Sequence, residues 1–150
     1  MILSDTKVQE KQMTESKITI EASVTASIEK VWAYWTRPEH ITKWNFASPE
    51  WCCPSAENDL RIGGTYTARM EARDGSMGFD FQAIYDEVVE PKKLVYTMSD
   101  GRQLVTTFQS SGDITTVTTI FEAETQNPIE MQKKGWQAII DNFKNYTEKN

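Results

Sequence analysis

The most constraining feature of the sequence is a long stretch, residues 64 to 124, in which apolar and polar residues alternate. Turn sequences interrupt the alternation at Asp74 and Gly75, at Pro91, at Asp100 and Gly101, and at SSGD. A two-residue period is typical of half-buried strands, and short turns make neighbouring strands antiparallel. The stretch therefore predicts five antiparallel strands that share one apolar face.

The segment before this stretch predicts one further strand and two short helices. Residues 17 to 25 alternate in the same way and predict the first strand. Ser27 is placed to cap a helix, because apolar residues follow it at helical spacing. Thr36 and Glu39 have the spacing of a capping box, which predicts a second helix ending near Trp44.

The C-terminal region predicts one long helix that covers the apolar face of the sheet. Pro128 opens a helical pattern, and five large apolar residues fall on one side of it: Trp136, Ile139, Ile140, Phe143 and Tyr146. The predicted class is α+β, with a curved sheet of six or seven antiparallel strands wrapped on this helix. We expect a single domain over 17–148, preceded by a flexible lead over 1–16.

Composition narrows the range of partners. The chain has 22 acidic and 16 basic residues and a net charge of -6, so it lacks the concentrated cations that nucleic acid binding requires. No apolar run approaches the roughly 20 residues of a membrane-spanning helix, and the N-terminus lacks the pattern of a secretory signal. These features predict a cytoplasmic protein with no membrane insertion.

An aromatic segment between the second helix and the next strands is the most unusual part of the sequence. Trp44, Phe46 and Trp51 precede the adjacent Cys52 and Cys53, with prolines that prevent one regular helix. Two neighbouring cysteines do not supply the spaced ligand pairs of structural zinc, and the nearby charges are acidic, which disfavours a thiolate. We therefore expect no metal and no cofactor, and we interpret the three aromatic rings as a lid over a cavity.

Catalytic groups are sparse. His40 is the single histidine, and no Gly-x-Ser-x-Gly sequence is present, so nucleophilic hydrolysis is disfavoured. Asp80 and Asp86 fall on the polar side of their strands and are expected to face solvent. A carboxylate that instead entered an apolar cavity would have a raised pKa suited to proton transfer, so an enzyme stays open as an alternative.

Several segments together resemble a known superfamily. The sequences ITIEASVTASIEKVWAYWTRPEHITKW, GGTYTARM, YDEVVEPKKLVYT and GWQAIIDNFKNY are similar to the START-related helix-grip (SRPBCC) superfamily, in the bacterial branch similar to the C-terminal domain of the heat-shock-protein ATPase activator. The resemblance covers residues 17 to 147. It implies a deep hydrophobic cavity gripped by the last helix, and it suggests a chaperone as a possible partner.

The resulting prediction is a protein without catalytic residues that binds a small apolar or amphipathic molecule between sheet and helix. The predicted ligand-binding residues comprise a lid, a sheet wall and a helix wall: Trp44, Phe46, Trp51; Tyr66, Met70, Phe81, Tyr96, Met98, Phe108; and Trp136, Ile140, Phe143. The alternatives are a cyclase- or hydrolase-like enzyme that uses the same pocket and a chaperone ATPase activator. We expect a monomer or a weak dimer.

Overall fold

A computed structural model describes residues 17–150, and the predicted lead over 1–16 lies outside the described residues. The described chain forms seven strands and three helices, in the following order: β1 (Lys17–Val24), α1 (Ile28–Thr36), α2 (Pro38–Trp44), β2 (Trp51–Asn58), β3 (Thr65–Ala72), β4 (Gly78–Val89), β5 (Lys93–Met98), β6 (Gln103–Ser111), β7 (Ile114–Glu122) and α3 (Ile129–Lys149). This is the predicted α+β class, with the predicted two short helices and one long C-terminal helix.

The strands form one antiparallel sheet in the order β1-β7-β6-β5-β4-β3-β2. All connections after β2 are hairpins between neighbours, and β1 closes the sheet by pairing with β7 along its whole length. In β1 every second residue is buried, as the alternation predicts, and the same period runs through β7. The buried faces of the strands therefore form one continuous apolar surface.

The aromatic segment contains a strand that the sequence analysis does not predict. Trp51–Asn58 forms β2 at the edge of the sheet and pairs with β3, with a shift in register between Cys52 and Ser55. Pro54 lies at that shift. Proline has no N–H to donate to a neighbouring strand, and an edge strand tolerates it because only one side of the strand is paired. The irregular lid is therefore limited to the residues between α2 and Trp51.

The caps of the short helices agree with the sequence only in part. Ser27 caps α1, because its side chain accepts a hydrogen bond from the amide of Lys30 at 3.2 Å. The predicted capping box at Thr36 is wrong. Its hydroxyl donates to the carbonyl of Trp32 within α1 at 2.7 Å, and α2 begins at Pro38 without a side-chain cap.

The single histidine packs against aromatic rings of two helices. His40 is half-buried, with its ring stacked on Tyr34 at a centroid distance of 3.9 Å. Its Nδ1 atom lies 2.8 Å from the Tyr146 hydroxyl of α3. Burial lowers the pKa of His40, Glu39 opposes that shift, and Arg37 adds to it. His40 therefore joins the short helices to the long one.

Helix α3 lies across the apolar face of the sheet and is fastened to the edge strand β1. The Gln137 side chain donates to the carbonyl of Glu21 at 3.0 Å and accepts from the amide of the same residue at 3.4 Å. Glu148 accepts a hydrogen bond from the amide of Thr25 at 2.8 Å. Within residues 17–150, no helix is both long and apolar enough to cross a bilayer.

Candidate functional site

A cavity of about 460 Å³ lies between the sheet and α3. Its wall combines sheet residues, the segment after α2 and the first half of α3. The lining residues are Ile20, Trp35, Trp44, Asn45, Ala47, Trp51, Tyr66, Met70, Phe79, Phe81, Tyr85, Leu94, Tyr96, Arg102, Leu104, Thr106, Thr119, Met131, Gln132, Gly135, Trp136, Ile139 and Ile140. Most of these side chains are apolar or aromatic, which is the usual lining of a small-molecule site.

The cavity opens to solvent between the β3–β4 hairpin and the start of α3. Phe79 and Met131 both line the cavity, and they are 51% and 56% exposed. Large apolar side chains with that exposure mark where the cavity meets the surface. Trp51 stands beside this opening, with its ring 6.2 Å from that of Phe79.

Eight of the twelve predicted ligand-binding residues line this cavity: Trp44, Trp51, Tyr66, Met70, Phe81, Tyr96, Trp136 and Ile140. They come from the lid, the sheet wall and the helix wall alike. Strand parity places the sheet residues correctly, because residues two apart point to the same face. Helical spacing does the same for Trp136 and Ile140.

Two of the remaining four residues belong to solid core instead. Phe143 is completely buried, and its ring packs edge-on against Trp35 at 4.8 Å and Trp44 at 4.9 Å. Phe108 is 3% exposed and packs edge-on against Trp32 at 5.4 Å. The short helices fill this end of the concave sheet, so the cavity stops before it reaches either phenylalanine.

Phe46 and Met98 also lie outside the cavity wall. The Phe46 ring stacks under the guanidinium of Arg73 at 5.9 Å, and its carbonyl accepts a hydrogen bond from Asn142 at 3.5 Å. Met98 is 5% exposed and sits in the core beneath the β4–β5 pair. Parity alone identifies the face of a residue, and it does not show how far along the strand the cavity extends.

Several wall residues were missed although their pattern was visible in the sequence. Tyr85, Leu94 and Leu104 lie on the same face as Tyr96, since Tyr96 pairs with Tyr85 on one side and with Leu104 on the other. Strand pairing from the hairpin turns could have identified them. Trp35 had no such signal, because an apolar residue on α1 can face either core or cavity.

Three tyrosines, Tyr66, Tyr85 and Tyr96, lie together in the wall. The rings of Tyr66 and Tyr96 are 5.8 Å apart, and those of Tyr85 and Tyr96 are 6.0 Å apart. Burial raises the pKa of each of these hydroxyls, and their proximity to one another raises the pKa of Tyr66 and Tyr96 further. All three phenols are therefore protonated at neutral pH, so each carries a proton that it can donate.

The other polar wall residues are held by protein partners. Arg102 binds Asp100 through Nε at 2.7 Å and the carbonyl of Glu122 through Nη1 at 2.7 Å. The Gln132 side chain accepts from the amide of Glu124 at 2.9 Å and also donates to two backbone carbonyls. Thr106 and Thr119 bind one another at 2.9 Å. These groups shape the wall and are already paired.

The adjacent cysteines lie beside the site without lining it. Burial raises the pKa of the Cys53 thiol to about 11, and its neighbour Cys52 adds to the shift. Cys53 is 2% exposed, whereas Cys52 is only half-buried. Across residues 17–150, no group of three His, Cys, Asp or Glu side chains could hold a metal ion.

The fold and the cavity together define a helix-grip protein, in which a curled antiparallel sheet surrounds a C-terminal helix and leaves a hollow beside it. The family model described as Activator of Hsp90 ATPase homolog 1-like protein matches residues 25–148, and the chain belongs to this family. The match confirms the resemblance that the sequence segments indicated. Comparison with curated proteins finds no match.

Solved structures of similar bacterial proteins share the fold. The AHSA1-like protein from Aeromonas hydrophila is 42% identical, with a TM-score of 0.84 over 89% of this chain and 92% of that one. Protein Chr148 from Cytophaga hutchinsonii is 52% identical, with a TM-score of 0.78 over 90% of this chain and 94% of its own. The Aha1 dimer from Colwellia psychrerythraea is 13% identical, with a TM-score of 0.68 over 88% and 96%, which is a likeness of fold alone.

Proposed function

We propose that this protein binds a small hydrophobic or amphipathic molecule in the cavity between the sheet and α3, without transforming it. The observation that carries the proposal is the cavity itself, whose 460 Å³ falls within the range of about 300–1,000 Å³ that is usual for ligand sites. Burying apolar ligand surface against such a wall contributes about 25 cal/mol per Å². Summed over the apolar surface of a small ligand, this free energy is enough for micromolar binding without an ion pair.

The chemistry of the wall favours binding over catalysis. Within residues 17–150, no carboxylate, histidine or lysine lines the cavity. Asp80 and Asp86 are exposed on the other face of the sheet, as the alternation predicts. The phenols are held protonated by burial, so they are poor general bases at neutral pH. An enzyme that uses this pocket would need a proton acceptor that the described wall does not supply.

A fluorescence titration tests the proposal. Nile red, which brightens in apolar surroundings, is titrated with the protein, and energy transfer from the wall tryptophans Trp35, Trp44, Trp51 and Trp136 reports that the dye is bound. We expect saturable binding that a cavity-filling variant abolishes. Gly135→Phe is suitable, because Gly135 lines the cavity and nothing lies within 4 Å of a Cβ placed there.

The matched control is the same substitution on the exposed side of α3. Lys134→Phe adds an equal apolar surface next to Gly135 but outside the wall. Binding by wild type and Lys134→Phe, together with loss in Gly135→Phe, supports a ligand inside the cavity. Equal binding by all three proteins would assign the dye to the surface and refute the proposal.

A chaperone partner, a cytoplasmic location and a monomeric or weakly dimeric state remain predictions. The chaperone comes from the resemblance and from the family description, which names an activator of the Hsp90 ATPase. ATP hydrolysis by Hsp90 with and without the protein measures this activity directly. Sedimentation over a range of concentrations measures the oligomeric state, for which the Colwellia psychrerythraea neighbour is described as a dimer.

A further inference from the structure

We propose that the cavity selects molecules that carry a carbonyl oxygen, which accepts hydrogen bonds from the hydroxyl groups of Tyr66 and Tyr96. The inference rests on the proposed function, since it names the chemical class of the bound molecule. It covers ketones, esters, lactones and amides with an apolar body, in contrast to plain hydrocarbons and to amines.

The hydroxyl proton of Tyr66 is available for a hydrogen bond to a ligand. Its oxygen accepts a hydrogen bond from Nδ2 of Asn45 at 3.2 Å, and its side chain is 8% exposed on the cavity wall. A phenol has one proton and two lone pairs, so accepting from an amide leaves the proton available. Among residues 17–150, the Tyr66 hydroxyl accepts this hydrogen bond and donates none. Asn45 thereby orients the phenol as a donor.

Tyr96 supplies the second donor from the neighbouring part of the wall. Its ring centroid is 5.8 Å from that of Tyr66, and the two planes are inclined by only 32°. Tyr96 is half-buried and lines the cavity, and within the described residues its hydroxyl makes no hydrogen bond. Its proton is therefore available to a molecule in the cavity. Two neighbouring phenols of the wall can therefore donate hydrogen bonds to an acceptor that enters the cavity.

The remaining polar groups of the wall favour a neutral ligand over a charged one. The described wall has no carboxylate to receive an ammonium group. Its cation, Arg102, already binds Asp100 at 2.7 Å, so a ligand carboxylate would compete with Asp100 for the guanidinium group. A neutral carbonyl oxygen accepts both phenol protons and brings no charge into the cavity.

A pair of fluorescent probes tests the inference. Prodan is a naphthalene ketone, and its analogue with propyl in place of propionyl has nearly the same shape without the carbonyl. We expect wild type to bind prodan about tenfold more tightly than the propyl analogue, a difference of about 1.4 kcal/mol. We expect Tyr66→Phe and Tyr96→Phe each to remove most of that preference. The preference is measured in each protein as the ratio of the two dissociation constants, so that a general loss of binding in a variant cancels.

A spectroscopic readout separates donation from a merely structural role. The infrared C=O stretch of bound prodan should lie at the low frequency of a hydrogen-bonded ketone in wild type and move to higher frequency in Tyr96→Phe. The matched control is Tyr34→Phe, which removes a hydroxyl that binds Asn150 outside the cavity and should leave the stretch unchanged. The wild-type frequency, compared with prodan in hexane and in alcohol, is decisive even if a variant fails to fold.

The outcomes distinguish this inference from the proposed function. If both probes bind equally and the bound C=O stretch matches that in hexane, carbonyl selection is overturned while cavity binding stands. If neither probe binds, and Nile red does not bind either, both proposals fail together. Tighter binding of prodan with a hydrogen-bonded stretch that Tyr66→Phe and Tyr96→Phe abolish supports the inference.

Discussion

Two phenylalanines that differ only in their surroundings allow a direct measurement of how empty the cavity is. Phe143 is completely buried, with two tryptophan rings at 4.8 and 4.9 Å. Phe81 lines the cavity, and its aromatic neighbours lie at 6.0 to 6.1 Å. The same change to alanine at both positions removes the same atoms. After allowance for the different propensities of alanine in a helix and in a strand, the difference in stability reports packing.

We expect Phe143→Ala to lower the free energy of unfolding by about 3–5 kcal/mol, the usual cost of removing a fully packed phenylalanine. Phe81→Ala should cost about half as much, because one side of its ring already faces a void and has no contacts to lose. With a urea m-value of about 2 kcal/mol per M, the midpoints should fall by about 2 M and about 1 M.

Unfolding in urea is best followed by circular dichroism, which reports the whole chain. Tryptophan fluorescence is less suitable, because Trp35 and Trp44 pack against Phe143 and would respond to the local change. Equal losses in the two variants would contradict the interpretation. That result would mean that Phe81 is as tightly packed in solution as Phe143, and that the space between sheet and helix is closed.

Three further predictions concern other parts of the fold. Burial lowers the pKa of His40, so the folded protein takes up a proton there less readily than the unfolded chain does. The contribution of neutral His40 to the free energy of unfolding should therefore be complete above about pH 6.5, the pKa of an unperturbed histidine. It should decline as the pH falls from there through the lower pKa of the folded state. A urea series from pH 8 to 5 on wild type and His40→Gln checks this, since the variant should lose the slope. Ellman's reagent should modify Cys52 in the native protein and reach Cys53, whose pKa burial raises to about 11, only after unfolding; two equally fast thiols would be inconsistent with the fold. Gly64→Ala should destabilise by more than about 2 kcal/mol because its Cβ would collide with a backbone carbonyl, whereas Gly135→Ala should stabilise α3 by up to about 1 kcal/mol, and thermal melts compare the two.

Much of the fold could be predicted because local patterns and topology agree. Alternation identified β1 and the five strands from β3 to β7, and Asp-Gly turns fixed their antiparallel order. Strand β2 escaped prediction because Pro54 and the change of register remove its alternation. The capping box failed at Thr36 because its hydroxyl could bind the preceding turn of its own helix, and spacing does not distinguish the two partners.

The site was harder to predict than the fold because a cavity is a property of three-dimensional packing. Strand parity and helical spacing select residues that face the interior, including Phe108 and Phe143, but both periods continue past the end of the cavity. The boundary depends on how far α1 and α2 reach over the sheet. The donors at Tyr66 and Tyr96 depend on the partners of individual hydroxyls, which the sequence does not record.

The edges of the sheet have a consequence for how the protein behaves at high concentration. Unpaired strand backbone is a template for intermolecular β-structure, and an open apolar mouth adds to that risk. Here Gln137 occupies the outward N–H and C=O of Glu21 on β1, while Pro54 and the shifted register interrupt β2. Both edge strands are therefore poor templates for a strand from another molecule. This lowers the risk of aggregation that the exposed apolar residues at the cavity opening bring.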